Sequence, residues 1–238
     1  MKIQSKASRL VSADIQKRAL HIAKRLDDDY GVRHRERASG SDLLEVLILT
    51  ILSQNTNDLN RDRAMENLKK HFPTWESVAK ADRKKVEDAI RVGGLAHQKS
   101  ARIQDVLLWV KKTFGRYSLE GLDKIPTSEA RDMLMNLKGV GPKTAAIVLL
   151  FGLGRPLFPV DTHIHRVTTR LGLLPEGATA EKAHELLGAL FPQKRYYSSH
   201  LNIIQHGKTI CKARKPVCNS CVLIKTCHWP EKNPGMYV

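Results

Sequence analysis

Leu137-Lys138-Gly139-Val140-Gly141-Pro142-Lys143-Thr144 joins two stretches of helical spacing, and how it bends decides how the rest of the chain is read. Pro126-Thr127-Ser128 opens a helix running to about Leu137, and Pro142, a residue favoured at the first helical position, opens the next. Gly139 and Gly141, two apart, allow backbone angles closed to other residues and let the main chain approach a ligand closely. The helix beginning at Pro142 presents free N–H groups and the positive end of its dipole. Gly139, Val140 and Gly141 together make an anion site that suits one phosphate of a nucleic-acid backbone. A bare Gly-x-Gly between helices is usually an ordinary turn, so the reading depends on its surroundings.

Outward from the hairpin, the pattern is helical in both directions. Asp14–Tyr30 carries Ile15, Ala19, Ile22, Ala23 and Leu26 as one apolar stripe. The polar stretch at 33–41 is a connection, and Leu43–Ser53, apolar on almost every side, is a helix buried in the core. Helices are also expected over Arg61–His71, Asp82–Val92, Lys99–Thr113, Glu181–Leu190 and Ser198–His206. No alternating run suggests a sheet, so the class is all-α. The organisation predicts a central helical bundle over 36–135 and a second lobe made of 1–35 and 136–238.

The 238 residues carry 40 Lys+Arg against 24 Asp+Glu, a net charge of +16, which argues for a polyanionic partner, most often nucleic acid. The apolar runs 43–52 and 145–153 fall short of the ~20 residues that span a bilayer, and the N-terminal stretch has no apolar signal region. No membrane association or secretion is expected, and thiols should be reduced. Charge is unevenly spread. Between Glu185 and Glu231 there is no carboxylate, while Lys194, Arg195, Lys208, Lys212, Arg214, Lys215 and Lys225 supply seven positive charges. Between Met133 and Pro175 the single carboxylate is Asp161.

Lys143 falls in the first turn of the helix after the hairpin, where its amine is placed to touch phosphate or to act as a nucleophile. Asp161 follows Pro159 and precedes Ile164, Val167 and Leu171 at helical spacing, an N-cap pattern compatible with a second role. His163 and His165 read as packed or surface histidines. Cys211, Cys218, Cys221 and Cys227 have the spacing C-x6-C-x2-C-x5-C, four soft ligands able to converge on one centre. With a single CxxC the zinc-ribbon pattern is poorly served, and the spacing leaves zinc and an iron–sulfur cluster both open.

The combination closely resembles the endonuclease III family of DNA repair glycosylases, the helix-hairpin-helix Gly-Pro-Asp superfamily. The matching stretches are LKGVGPKTA at 137–145, FPVDTHIHRV at 158–167 and CKARKPVCNSCVLIKTC at 211–227. ILSQNTND at 51–58 is similar to the family's first core helix and the loop after it, and the resemblance extends over about 14–230. Lys138 departs from it, standing where the family commonly has Pro. Met135 and the loop after Asn55 are the positions whose bearing on base preference the resemblance leaves open.

What the resemblance implies is a two-lobed all-α enzyme, a helical bundle lobe beside an iron–sulfur lobe. It would grip double-stranded DNA in the interlobe cleft and flip out a damaged base. Lys143 would attack C1′ of the deoxyribose and Asp161 would assist. The four cysteines would hold a [4Fe–4S] cluster, and Lys212, Arg214 and Lys215 would grip phosphate. The chemistry of the residues agrees, because an amine nucleophile leaves a Schiff base that promotes β-elimination at an abasic site. Gln54 and Asn55, at the exit of the first core helix, are expected to fill the gap left by the flipped base. The adenine-glycosylase branch places a Glu where this chain has Thr50. Mismatch-type uracil or thymine glycosylases commonly replace the lysine. These differences favour a bifunctional glycosylase and AP lyase acting on oxidised pyrimidines, as a monomer, cytoplasmic and nucleoid-associated if prokaryotic. The rival readings are a mismatch-type glycosylase, a non-enzymatic helix-hairpin-helix DNA-binding protein, and a zinc-bearing RNA-binding or transcription-associated protein.

Overall fold

A computed structural model describes residues 12–35, 43–227 and 229–235. It is all-α, with no strand among the described residues. The helices are α1 (Ala13–Tyr30), α2 (Leu43–Leu52), α3 (Asp58–His71), α4 (Trp75–Lys80), α5 (Arg83–Ala89) and α6 (Ala96–Phe114). They continue as α7 (Thr127–Met135), α8 (Pro142–Ile147), α9 (Thr162–Arg170), α10 (Ala180–Leu190), α11 (Tyr196–Thr209) and α12 (Trp229–Lys232). No described helix is long and apolar enough to cross a membrane.

The sequence reading places most of these helices within a few residues. The helix expected over Asp82–Val92 closes at Ala89, and the chain tightens into a 3₁₀ turn over Arg91–Gly93. Thr74 and Ser77 cap the short α4 reciprocally, an N-terminus signature that was not read from the sequence. Most of the connection expected at 33–41 lies outside the described residues.

The chain forms two compact units, 37–155 and 1–36 with 156–238. This moves the expected boundary at 135/136. The hairpin and α8 belong with the central helices because α8 packs on both α2 and α7. In the 37–155 unit, α2 is the core element expected from its uniform apolarity: Leu44, Leu47, Ile48, Ile51 and Leu52 are all fully buried. Helix α8 runs on as a single π-turn over Val148–Gly152, which also packs on α2. A Cβ at Gly152 would lie 2.1 Å from Leu43 Cδ2, so the Leu43 side chain rests against this glycine and would have to turn aside for a larger residue.

In the other unit, α11 packs on α1 and α9. Asp27 of α1 is buried, ion-paired to Arg195 at 2.7 Å, and accepts from Ser198 Oγ at 2.7 Å and Asn202 Nδ2 at 2.9 Å. Those bonds satisfy a buried charge and fasten α1 to α11.

Candidate active site

Gly139 is at φ 84, the left-handed region open to glycine, and Gly141 caps α8 in extended backbone with Pro142 at the first helical position. The Val140 N–H closes the turn by donating to the Leu137 carbonyl at 3.0 Å, and Val140 itself is buried. Nothing lies within 4 Å of where a Cβ of Gly141 would stand, so this side of the hairpin is open. Lys138 and Lys143 are exposed and have no ion-pair partner among the described residues. Two unpaired cations, open backbone and a helix start are therefore grouped within six residues, an arrangement that attracts anions.

Gln54 is not free beside this hairpin. Its Nε2 donates to the Gly139 carbonyl at 3.1 Å, and its Oε1 accepts from Arg102 Nη1 at 2.7 Å. Asn55 is exposed in left-handed backbone at φ 51, which asparagine tolerates better than most residues. Thr50 is buried, and its hydroxyl donates back to the Val46 carbonyl at 2.7 Å.

Three residues here were not singled out from the sequence. Lys99 is fully buried, and its ammonium donates to the Leu52 carbonyl at 2.7 Å and the Gly93 carbonyl at 2.8 Å. The signal was available, since Lys99 falls in the α6 stripe with Ile103, Val106 and Val110. Arg102 carried no such signal. Leu95 is 43% exposed at φ 51, an apolar residue held in backbone that favours glycine.

In the other unit, Asp161 is the N-cap of α9, accepting from the Ile164 N–H at 2.8 Å, as its sequence pattern predicts. It is half-buried, and its second oxygen has no hydrogen-bond partner among the described residues. His163 meets Arg166 at 3.2 Å and His165 meets the Ala178 carbonyl at 2.7 Å, so both are packed histidines.

Cys211, Cys218, Cys221 and Cys227 are free thiols lining one cavity, with Val167, Leu171, Ile210 and Ile224 as its apolar wall. Burial pushes the Cys221 thiol up to about 11 and raises Cys218 and Cys227, with the neighbouring thiols adding to each. A metal taking them as thiolates must displace those protons. Among the described residues no three His, Cys, Asp or Glu side chains are grouped to hold a single metal ion. Four thiols lining one cavity are soft donors of the kind that both zinc and iron–sulfur clusters take.

The loop after Cys211 is held from α9. Arg170 donates to the carbonyls of Lys212 at 2.7 Å and Ala213 at 3.1 Å, and its guanidinium lies 4.1 Å from the Trp229 ring centroid. Lys212, Arg214 and Lys215 are left exposed.

The model of the HhH-GPD superfamily of base excision DNA repair proteins matches residues 48–193, and the chain belongs to that superfamily. Endonuclease III of Thermotoga maritima is 33% identical over 215 residues, 90% of this chain and 92% of that protein. Endonuclease III of Sulfolobus acidocaldarius is 31% identical over 89% of this chain and 96% of that protein. An Arabidopsis thaliana relative is 37% identical over 175 residues, and the chain spans 60% of its length. A solved non-covalent endonuclease III–DNA complex aligns with TM-score 0.79 and 26% identity, covering 91% of this chain and 97% of that one. Within the superfamily the protein is an enzyme, a DNA glycosylase close to endonuclease III.

Proposed function

We propose that this glycosylase is bifunctional, releasing oxidised pyrimidines from duplex DNA and then cutting the strand at the abasic site through an imine on Lys143. The observation that carries the reading is the position of Lys143, exposed and unpaired two residues beyond the capping Gly141. A phosphate on the open hairpin amides would bring a sugar to that amine. Lys143 Nζ attacks C1′ and the base departs with the bonding electrons, taking up a proton. Loss of a proton from nitrogen and ring opening give the imine. Removal of a C2′ proton then expels the 3′ phosphate and leaves a conjugated aldimine for water to release. Asp161 offers its unbonded oxygen to the positive charge that develops at the sugar, or to a proton in transit.

The four cysteines would hold a [4Fe–4S] cluster, which supplies structural order to the 211–227 segment and no step of the reaction. Lys212, Arg214 and Lys215 lie on that segment and would meet backbone phosphates, with the chain acting as a monomer. The solved endonuclease III trapped as a covalent intermediate with DNA, matching at TM-score 0.79, supports the lyase part of the reading.

The test is borohydride trapping on duplexes carrying thymine glycol, an abasic site, or a uracil or thymine mismatch. The expected result is a protein–DNA crosslink with the first two that disappears in Lys143→Gln. Base release without a crosslink, confined to the mismatches, would make the enzyme monofunctional. Anaerobic iron analysis near four atoms per chain is expected; stoichiometric zinc would overturn the cluster.

A further inference from the structure

Within the 37–155 unit, one face of α6 reaches three separate loops. Lys99 and Arg102 are three residues apart, so they stand one above the other on that face. Lys99 fastens the carbonyl of Leu52, the last residue of α2, together with that of Gly93. Arg102 binds the Gln54 side chain two residues further along, and Gln54 in turn donates to Gly139. Arg102 also covers the α-carbon of Gly139, since a Cβ there would fall 2.7 Å from its Cδ and Nε. The glycine that makes the hairpin turn is thus bonded at its carbonyl by Gln54 and overlain at its α-carbon by the Arg102 side chain.

We propose that Gln54 and Arg102 are positioning residues for the hairpin: together they fix the Gly139 peptide, and with it the open amides that follow, in the orientation that receives a DNA phosphate. An amide already shared between a guanidinium and a backbone carbonyl acts on the hairpin before any lesion is met. Its effect therefore applies to every duplex, damaged or not. The inference rests on the hairpin being a phosphate grip.

The grip is made of neutral backbone dipoles, which gives it a signature distinct from that of a lysine or arginine on phosphate. Losing a neutral contact weakens binding by a constant factor at every salt concentration. Losing a charged contact also flattens the dependence of log Kobs on log[salt], by about 0.9 per phosphate. Fluorescence anisotropy with an undamaged duplex, between 50 and 200 mM salt, separates the two. Gln54→Ala and Arg102→Met should each weaken binding by about 3–10-fold, the worth of one lost hydrogen bond, with the slope unchanged. The double variant should be little weaker than either alone, because both residues act through one chain of contacts. Gln54→Glu keeps an acceptor for Arg102 and loses the donor to Gly139, so it should bind at least as weakly as Gln54→Ala, its added negative charge beside the grip lowering affinity further. In turnover on a damaged duplex the loss should fall on KM.

Undamaged-duplex affinity equal to wild type in both Gln54 variants would overturn the proposal, as would a loss confined to lesion-bearing duplex, which would make Gln54 a gap filler. A flattened slope in Arg102→Met would overturn it for Arg102, which would then itself touch phosphate. Thermal melting of Gln54→Glu checks that the unit stays folded. Crosslinking by the wild type to an abasic duplex is scored separately, so absence of lyase chemistry and absence of hairpin positioning give different results.

Discussion

Lys99 Nζ, with none of the residue exposed to solvent, donates to the Leu52 carbonyl at 2.7 Å, so an ammonium closes the C-terminal end of the buried helix α2. A cation there also meets the negative end of that helix's dipole. Lys99→Met would fill similar volume and leave the carbonyls of Leu52 and Gly93 without this donor. The expected loss is about 1–3 kcal/mol in urea unfolding, the penalty for buried acceptors left unbonded. Lys99→Arg should recover part of it. A Met variant as stable as wild type would mean that desolvating the charge costs as much as its bonds return.

Asp161 can be separated into cap and chemical group by two substitutions. Asparagine caps helices as well as aspartate does, so Asp161→Asn should melt at the wild-type temperature, while Asp161→Ala should lose about 1 kcal/mol. If the carboxylate serves the reaction, the Asn variant should release base about 10²–10⁴-fold more slowly despite its intact fold. Normal base release by Asp161→Asn would leave only the cap.

For the exposed loop after Cys211, the measurement is again salt dependence. Lys212→Ala and Lys215→Ala should each flatten the slope of log Kobs against log[salt] by about 0.9, one phosphate apiece. Lesion preference should not change. Wild-type slopes in both variants would place the DNA-binding face away from this loop.

Tyr196 is buried, which pushes its hydroxyl up to about 12, and it donates to the Gly188 carbonyl. In an unfolded chain the group titrates near ~10. Because the folded value is the higher one, the contribution to stability is complete below pH 10 and is lost as pH rises toward 12, by about 1.4 kcal/mol per pH unit. Melting curves of wild type and Tyr196→Phe should therefore converge between pH 10 and 12. Parallel profiles would show that Tyr196 titrates normally.

The helices were legible because their signals are local: the apolar stripe of α1, the apolar run of α2, the proline before α8, the aspartate before α9. So was the capping bond of Asp161, since a side chain reaching three residues along its own helix needs no tertiary context. The partners of Gln54 were not legible. Its two bonds go to residues 48 and 85 positions away, and nothing in ILSQNTND at 51–58 encodes them. The unit boundary was misplaced for a similar reason, because a glycine hairpin signals a turn but not the helices against which it packs.

The division of the chain into 37–155 and two flanking pieces has a consequence for the order of synthesis. The inner unit is complete once residue 155 has been made. Helix α1, made before that unit, packs against α10 and α11, which are made after it. Between Tyr30 and Ala180 a ribosome adding 5–20 residues per second works for about 8–30 s. For that interval Ile22, Ala23 and Leu26, all buried in the finished protein, have none of their α10 and α11 partners. Helix α1 waits for α10 and α11 before it is covered, so a nascent chain stalled short of residue 180 should present that stripe to chaperones.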